Sequence, residues 1–274
     1  MTFVVKFWGV RGSLACPGRQ FVKYGGNTSC VEINLGERRI LLDGGTGLRN
    51  AARNFMNDPS REIYLLFTHT HWDHINGFPF FLPAYNADWT VHIKAGHMKH
   101  AGGIRSVLSS QMTTPMFPIP IEALTATLKF EDFEAGEDFD LYPGVHIRTA
   151  PLNHPAGATA YRIEHEGRAC VYVTDTEHVP DELDQNILGV IEGADLVIYD
   201  STYTEREWTE KIGWGHSTWE QGMRLCRAAG AKRLAIFHHD PDHDDAFMTA
   251  LEAEATAAWP GNLVAREGMV LDIA

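Results

Sequence analysis

Ile63-Tyr64-Leu65-Leu66-Phe67-Thr68-His69-Thr70-His71-Trp72-Asp73-His74 runs from a short apolar stretch straight into three imidazoles and one carboxylate. A run of this length reads as a buried strand whose carboxyl end opens into a site loop. A lone histidine there would satisfy its hydrogen bonds at a surface turn. Three neutral nitrogen donors and a hard oxygen donor within six residues instead suit two divalent transition metals sharing one site.

The chain has 274 residues, and no Gly/Ser/Pro-rich linker, repeat or low-complexity tract divides it. Residues 1–274 therefore read as one domain with a sizeable core. The charge of −13 argues against a long polyanion as the favoured partner, because duplex or long single-stranded nucleic acid calls for clustered Lys and Arg. Bound cations can still create a positive pocket for a small anion. Cys16, Cys30, Cys170 and Cys226 are scattered and imply neither a disulfide framework nor a thiolate zinc site. The start, Met1 to Trp8, reads as a first strand and is too short and weakly basic for a secretory signal. No apolar run approaches the roughly eighteen residues of a membrane span, so a soluble cytoplasmic protein is expected.

Strands are expected at Phe3 to Trp8, Cys30 to Leu35 and Arg39 to Leu42, the last ending in Asp43-Gly44-Gly45-Thr46-Gly47, with a helix after it. Residues 97–128 show helical character from Ile104 to Met112, then three prolines, and read as a lid or as the contact of a homodimer. Further on come Val145 to Thr149, a hairpin of Ala158 to Ile163 and Ala169 to Thr174, and the run Leu196 to Tyr199. Helices at Trp219 to Ala229 and Phe247 to Trp259, a strand at Arg233 to Phe237 and a last one near Met269 to Ile273 follow. The alternation predicts an α/β fold of mixed sheets with helices outside.

Two neighbouring ions need about seven protein ligands, and the hexapeptide supplies His69, His71, Asp73 and His74. The completions are His154, Asp175 and His238, each beyond a β-like stretch, with His239 the alternative to His238 because only one of the two can point inward. Asp43 reads as a carboxylate that orients a ligating imidazole or, equally, as a turn cap.

This set resembles the metallo-β-lactamase superfamily of binuclear hydrolases. The resemblance implies two mixed β-sheets in an αβ/βα sandwich. His69, His71 and His154 would hold one metal, Asp73, His74 and His238 the other, and Asp175 would bridge. Zinc is the first expectation and manganese or iron the second. His71 stands where the di-iron oxygen and nitric oxide reductases carry Glu, and Asp175 where one β-lactamase class carries Cys.

Asp200-Ser201-Thr202-Tyr203, Gly215-His216-Ser217-Thr218 and Tyr24 to Ser29 are similar to motifs of tRNA 3′-end endonucleases and cyclic phosphodiesterases on this fold. Ser217-Thr218-Trp219-Glu220 reads as a capping box, placing His216 at a helix start with Asp200 as its partner. His216 is then a general acid that also touches substrate, and Asp73 and Asp200 complete the catalytic set. Arg11 reads as a phosphate contact or as a salt bridge pinning the amino-terminal loop. His92, His97, His100, His146, His165, His178 and His243 read as surface or packing residues.

The expected activity is hydrolysis of a small phosphodiester, a cyclic nucleotide or related cyclic phosphate, by metal-activated hydroxide. The alternatives are an RNA 3′-processing endonuclease and a thioester or lactone hydrolase. The tRNA enzymes resembled here carry an RNA-gripping arm before the bridging Asp, whereas only a hairpin separates His154 from Asp175.

Overall fold

Ile63, Leu65 and Phe67 pack under helices on one side of their strand, while Leu66 packs on the other side against a second sheet. Both faces of strand Glu62–Phe67 are thus covered beyond its exposed first residue, which is why the run from Ile63 to Phe67 is apolar and does not alternate. The computed structural model describes residues 2–56 and 59–273.

Two seven-stranded sheets lie face to face. Across the first, the order is Val270–Asp272, Val4–Gly9, Cys30–Leu35, Arg38–Leu42, Glu62–Phe67, Thr90–Ala95 and Thr127–Asp132. Across the second, it is Asn262–Val264, Leu234–Phe237, Leu196–Asp200, Arg168–Val173, Ala158–His165, Val145–Leu152 and Phe139–Tyr142. In each sheet consecutive hairpins give antiparallel pairs and helical crossovers give parallel ones. This is the mixed α/β sandwich expected from the alternation of elements.

The core between the sheets is built from one side of most strands, including Val5, Phe7, Ile33, Leu42, Leu66, Ile147, Ile163, Tyr172, Ile198 and Phe237. Helices Leu48–Phe55 and Ile104–Gln111 cover the outer face of the first sheet. Gln185–Ile191, Trp219–Ala228 and Asp245–Ala258 cover that of the second. Residues 97–128 contain helix Ile104–Gln111, whose Ile104 and Leu108 join the outer core, and run into the edge strand Thr127–Asp132. No described helix is long and apolar enough to cross a membrane.

Candidate metal centre

Strands of both sheets end at one rim, and the residues just past those ends converge. His69 and His71 follow Glu62–Phe67, and the four-residue helix Trp72–Ile75 carries Asp73 and His74. His154 follows Val145–Leu152, Asp175 follows Arg168–Val173, and His238 follows Leu234–Phe237. Asp43, Asp175 and His238 have φ values of 60°, 51° and 64°. Such left-handed backbone is costly for residues with a Cβ, and here it turns each strand end toward the cluster.

Ligand-type atoms of His69, His71, His154 and Asp175 lie within 4.8 Å of one another, as do those of Asp73, His74 and His238. Asp175 reaches both groups, with Oδ2 3.5 Å from His69 Nε2 and Oδ1 3.4 Å and 3.2 Å from the Nε2 atoms of His74 and His238. Of the adjacent histidines, His238 enters the cluster, 3.2 Å from Asp73 Oδ2, while His239 turns away to the Ala265 carbonyl.

The surroundings fit divalent cations. His69 Nε2 is buried and has no hydrogen-bond partner, and imidazole nitrogens face one another at 3.1 Å between His71 Nδ1 and His154 Nε2 and at 3.2 Å between the Nε2 atoms of His74 and His238. The outward nitrogens are committed elsewhere. His74 Nδ1 is 2.8 Å from Asp43, His69 Nδ1 is 3.1 Å from Thr68 Oγ1, which in turn donates to Asp43, and His238 Nδ1 is 3.0 Å from Thr202 Oγ1, which donates to Asp200. His154 Nδ1 donates to the Gly215 carbonyl at 2.8 Å. Each Nε2 is thereby left as the lone-pair donor that a metal requires. Burial holds His69, His71 and His154 below the usual imidazole range, in the neutral form.

Asp43 therefore touches a ligand candidate directly, and the Gly45 turn beside it packs so closely that a Cβ would overlap the Asp73 carbonyl. Asp200 accepts from Thr176 N and Thr202 and sits 3.0 Å from His216 Nδ1. Burial alone would lower the His216 pKa, but the charge and hydrogen bond of Asp200, with Asp175 and Asp73 behind it, raise it to about 9. His216 is nine-tenths covered and stacks on His238 at 5.0 Å.

Two expectations need correction. The helix beyond His216 is capped by Thr218, which accepts from Gln221 N, one residue later than expected, and no reciprocal box closes because the Gln221 side chain is bonded to the Glu182 carbonyl and Arg224. Ser217 is drawn off by His178 and Tyr199, which both reach its hydroxyl. Arg11 is fully buried and donates to the carbonyls of Gly25, Asp240 and His243, so it pins the amino-terminal loop through backbone acceptors and presents no face to a phosphate. Two of the histidines read as surface or packing residues do pack, and they pack beside the site. His97 Nε2 is 3.2 Å from Thr70 Oγ1, and His178 stacks on Trp208, whose indole donates to the His216 carbonyl.

Sequence reading missed Glu177 and Thr202 as supports. Glu177 accepts from Gly213 N and Gly215 N, and its backbone pairs with Asn153, so it ties together the loops carrying His154 and His216. Its only sequence signal is a position two residues beyond Asp175. Thr202 lay in the quoted Asp200 motif, but only the fold reveals its contact with His238.

A fold of two facing mixed sheets with a histidine and carboxylate cluster at the shared rim defines a metal-dependent hydrolase. The β-lactamase superfamily domain matches residues 38–239, and the chain belongs to that superfamily of metal-dependent hydrolases. The ribonuclease Z of Haloarcula marismortui is 25% identical over 98% of this chain and 96% of its own length. That of Porphyromonas gingivalis is 23% identical over 88% and 91%. Among solved structures, the metallo-β-lactamase fold protein YhfI from Bacillus subtilis superposes with a TM-score of 0.73 at 19% identity, covering 98% of both chains. Human tRNase Z, short form, gives 0.71 at 17% identity, covering 99% of both.

These relatives overturn the expectation that a long nucleic acid is disfavoured, since enzymes named for ribonuclease activity align with nearly the whole chain. The physical reason is that a net charge sums the whole surface, whereas a phosphate meets the local field of a cation-binding rim.

Proposed function

We propose that the chain hydrolyses phosphodiesters of nucleotides, with cyclic nucleotides and related cyclic phosphates as the leading substrates. The observation that carries this reading is the Asp200–His216 pair at 3.0 Å, set beside the metal-ligand cluster with Asp175 Oδ2 3.8 Å from the same imidazole nitrogen. Thioester or lactone hydrolysis would leave that pair without a role.

His69, His71 and His154 would hold one ion and Asp73, His74 and His238 the other, with Asp175 between them. Imidazole-rich ligation favours zinc, and the carboxylates also admit manganese or iron. When bound, the ions supply Lewis acidity that activates a water and neutralises phosphoryl charge. His216, with Nδ1 held by Asp200, delivers a proton from Nε2 to the departing ribose oxygen as the P–O bond breaks. Asp73 is itself oriented by the Ser13 amide at 2.8 Å.

A second reading, RNA 3′-processing, is favoured by the ribonuclease Z relatives. The test is metal-reconstituted turnover of bis(p-nitrophenyl) phosphate, a cyclic-nucleotide panel and a precursor RNA, comparing wild type with His216→Ala and Asp73→Ala. Cyclic-nucleotide cleavage lost in both variants supports the leading reading, and cleavage of RNA alone supports the second. Inactivity toward every phosphodiester in well-metallated protein would sink both.

A further inference from the structure

Trp72 and Trp214 are among the largest side chains of the protein, yet they are 80% and 60% exposed. Both stand at the cluster. Trp72 is flanked by His71 and Asp73, and Trp214 directly precedes Gly215 and His216. His154 joins the two neighbourhoods, with Nε2 3.1 Å from His71 Nδ1 and Nδ1 2.8 Å from the Gly215 carbonyl. Because consecutive Cα atoms are about 3.8 Å apart, each indole is rooted one residue from a group that His154 touches.

Neither indole hangs on a loose segment. The amides on either side of Trp214, of Gly213 and Gly215, are held by Glu177 at 2.9 Å and 2.7 Å, and Trp214 N donates to the Lys211 carbonyl. Trp72 opens the helix Trp72–Ile75, and its carbonyl accepts from Asn76 N. Lys211 Nζ lies 4.5 Å over the Trp214 ring and 5.8 Å from that of Tyr203, whose ring is 6.0 Å from His216. A cation thus stands on the same rim of an otherwise acidic chain. Exposed aromatic rings on anchored backbone are the arrangement that binds planar groups at low entropic cost.

We propose that Trp72 and Trp214 form a nucleobase-binding rim, on which the base of the substrate stacks while its phosphate lies at the metal cluster and Lys211 offsets the negative charge. The inference rests on the phosphodiesterase reading and adds the group that the rim selects. Any base offers a π-face, so the rim selects nucleotides over other phosphodiesters without reading their sequence.

The test compares a nucleoside 2′,3′-cyclic phosphate with glycerol 1,2-cyclic phosphate, which has the same five-membered reacting ring and no base. Trp214→Ala and Trp72→Ala should raise KM for the nucleotide about 5- to 100-fold, the range that base stacking supplies, with kcat within about twofold and the glycerol ester unaffected. Phe at either position should restore most of the loss. Where Trp72→Ala disturbs the neighbouring His71 or Asp73, Trp214→Ala carries the comparison. Equal losses on both esters, or none on either, would overturn the proposal.

Quenching of tryptophan fluorescence by adenosine 5′-monophosphate reads the same rim without turnover. Quenching that weakens in both variants would keep the rim even in a protein that hydrolyses no phosphodiester, and its absence in wild type would overturn it. Repeating the titration with a short single-stranded oligoribonucleotide tells whether the base comes from a free nucleotide or from an RNA chain.

Discussion

Asp43 Oδ2 lies 2.8 Å from His74 Nδ1, and both side chains are fully buried. The same carboxylate accepts from the Thr68 amide on Oδ1, from the Thr68 hydroxyl on both oxygens and from the Tyr172 hydroxyl on Oδ2 at 3.0 Å, so its orientation is fixed from several sides. It holds the His74 proton on Nδ1 and turns the Nε2 lone pair into the cluster.

Asp43→Asn should therefore weaken metal binding about 10- to 100-fold while the fold persists. Asn would keep an oxygen for Thr68 and aim its NH2 at His74, forcing the proton onto Nε2. Competition with a chelating dye measures the effect, and unchanged affinity would show that the tautomer is set elsewhere.

His216→Ala should lower kcat by about 10²- to 10⁴-fold on substrates that expel a ribose alkoxide. The loss should be much smaller on bis(p-nitrophenyl) phosphate, whose leaving group departs without a proton. Asp200→Asn should act in the same direction. Equal losses on both substrates would place His216 outside the proton transfer.

Proton release should accompany metal loading. Burial would lower the His74 pKa, but Asp73, Asp175 and Asp43 raise it well above the usual imidazole range, so the metal-free protein holds a proton there. A cation must displace it, which makes affinity climb with pH. Titrating zinc into weakly buffered protein with an indicator dye reads the release directly, and a flat trace would contradict it.

Glu220, which is not one of the ligand candidates, gives a second pH effect. Burial raises its pKa to about 7, and Oε2 has no hydrogen-bond partner. The folded state then holds a proton that the unfolded state has lost between about pH 4.5 and 7, so its contribution to stability falls as pH rises through that window. Glu220→Gln should stabilise the protein at pH 8 by about 1–2 kcal/mol, discounted for the side chain's partial exposure. At pH 4 it should have little effect, and chemical denaturation at the two pH values checks both.

The sandwich was legible because doubly buried strands such as Ile63 to Phe67 and Leu196 to Tyr199 carry runs that cannot belong to a surface. The strand Thr127–Asp132 escaped notice because its side chains alternate between exposed and half-buried positions, charged residues among them, as an edge requires. The ligand candidates stood out because their residue types are rare in such density. Their supports did not, since Thr68, Thr202, Glu177 and His178 are ordinary residues until the fold sets them against His69, His238, Gly215 and Ser217. Arg11 shows the converse, a residue conspicuous in sequence that the fold spends on three backbone carbonyls.

The cluster belongs to neither sheet alone. His69, His71, Asp73 and His74 come from the first, and His154, Asp175 and His238 from the second, so each triad takes two donors from one sheet and one from the other. Bound cations would act as rivets between two slabs, and the slabs in turn set the spacing of the donors. A change deep among Phe7, Tyr172 and Phe237 that lets the sheets slide by an ångström would silence the centre without altering one ligand. In engineering terms the hydrophobic seam is the calibration of the instrument, and mutational tolerance there should track metal retention more closely than melting temperature.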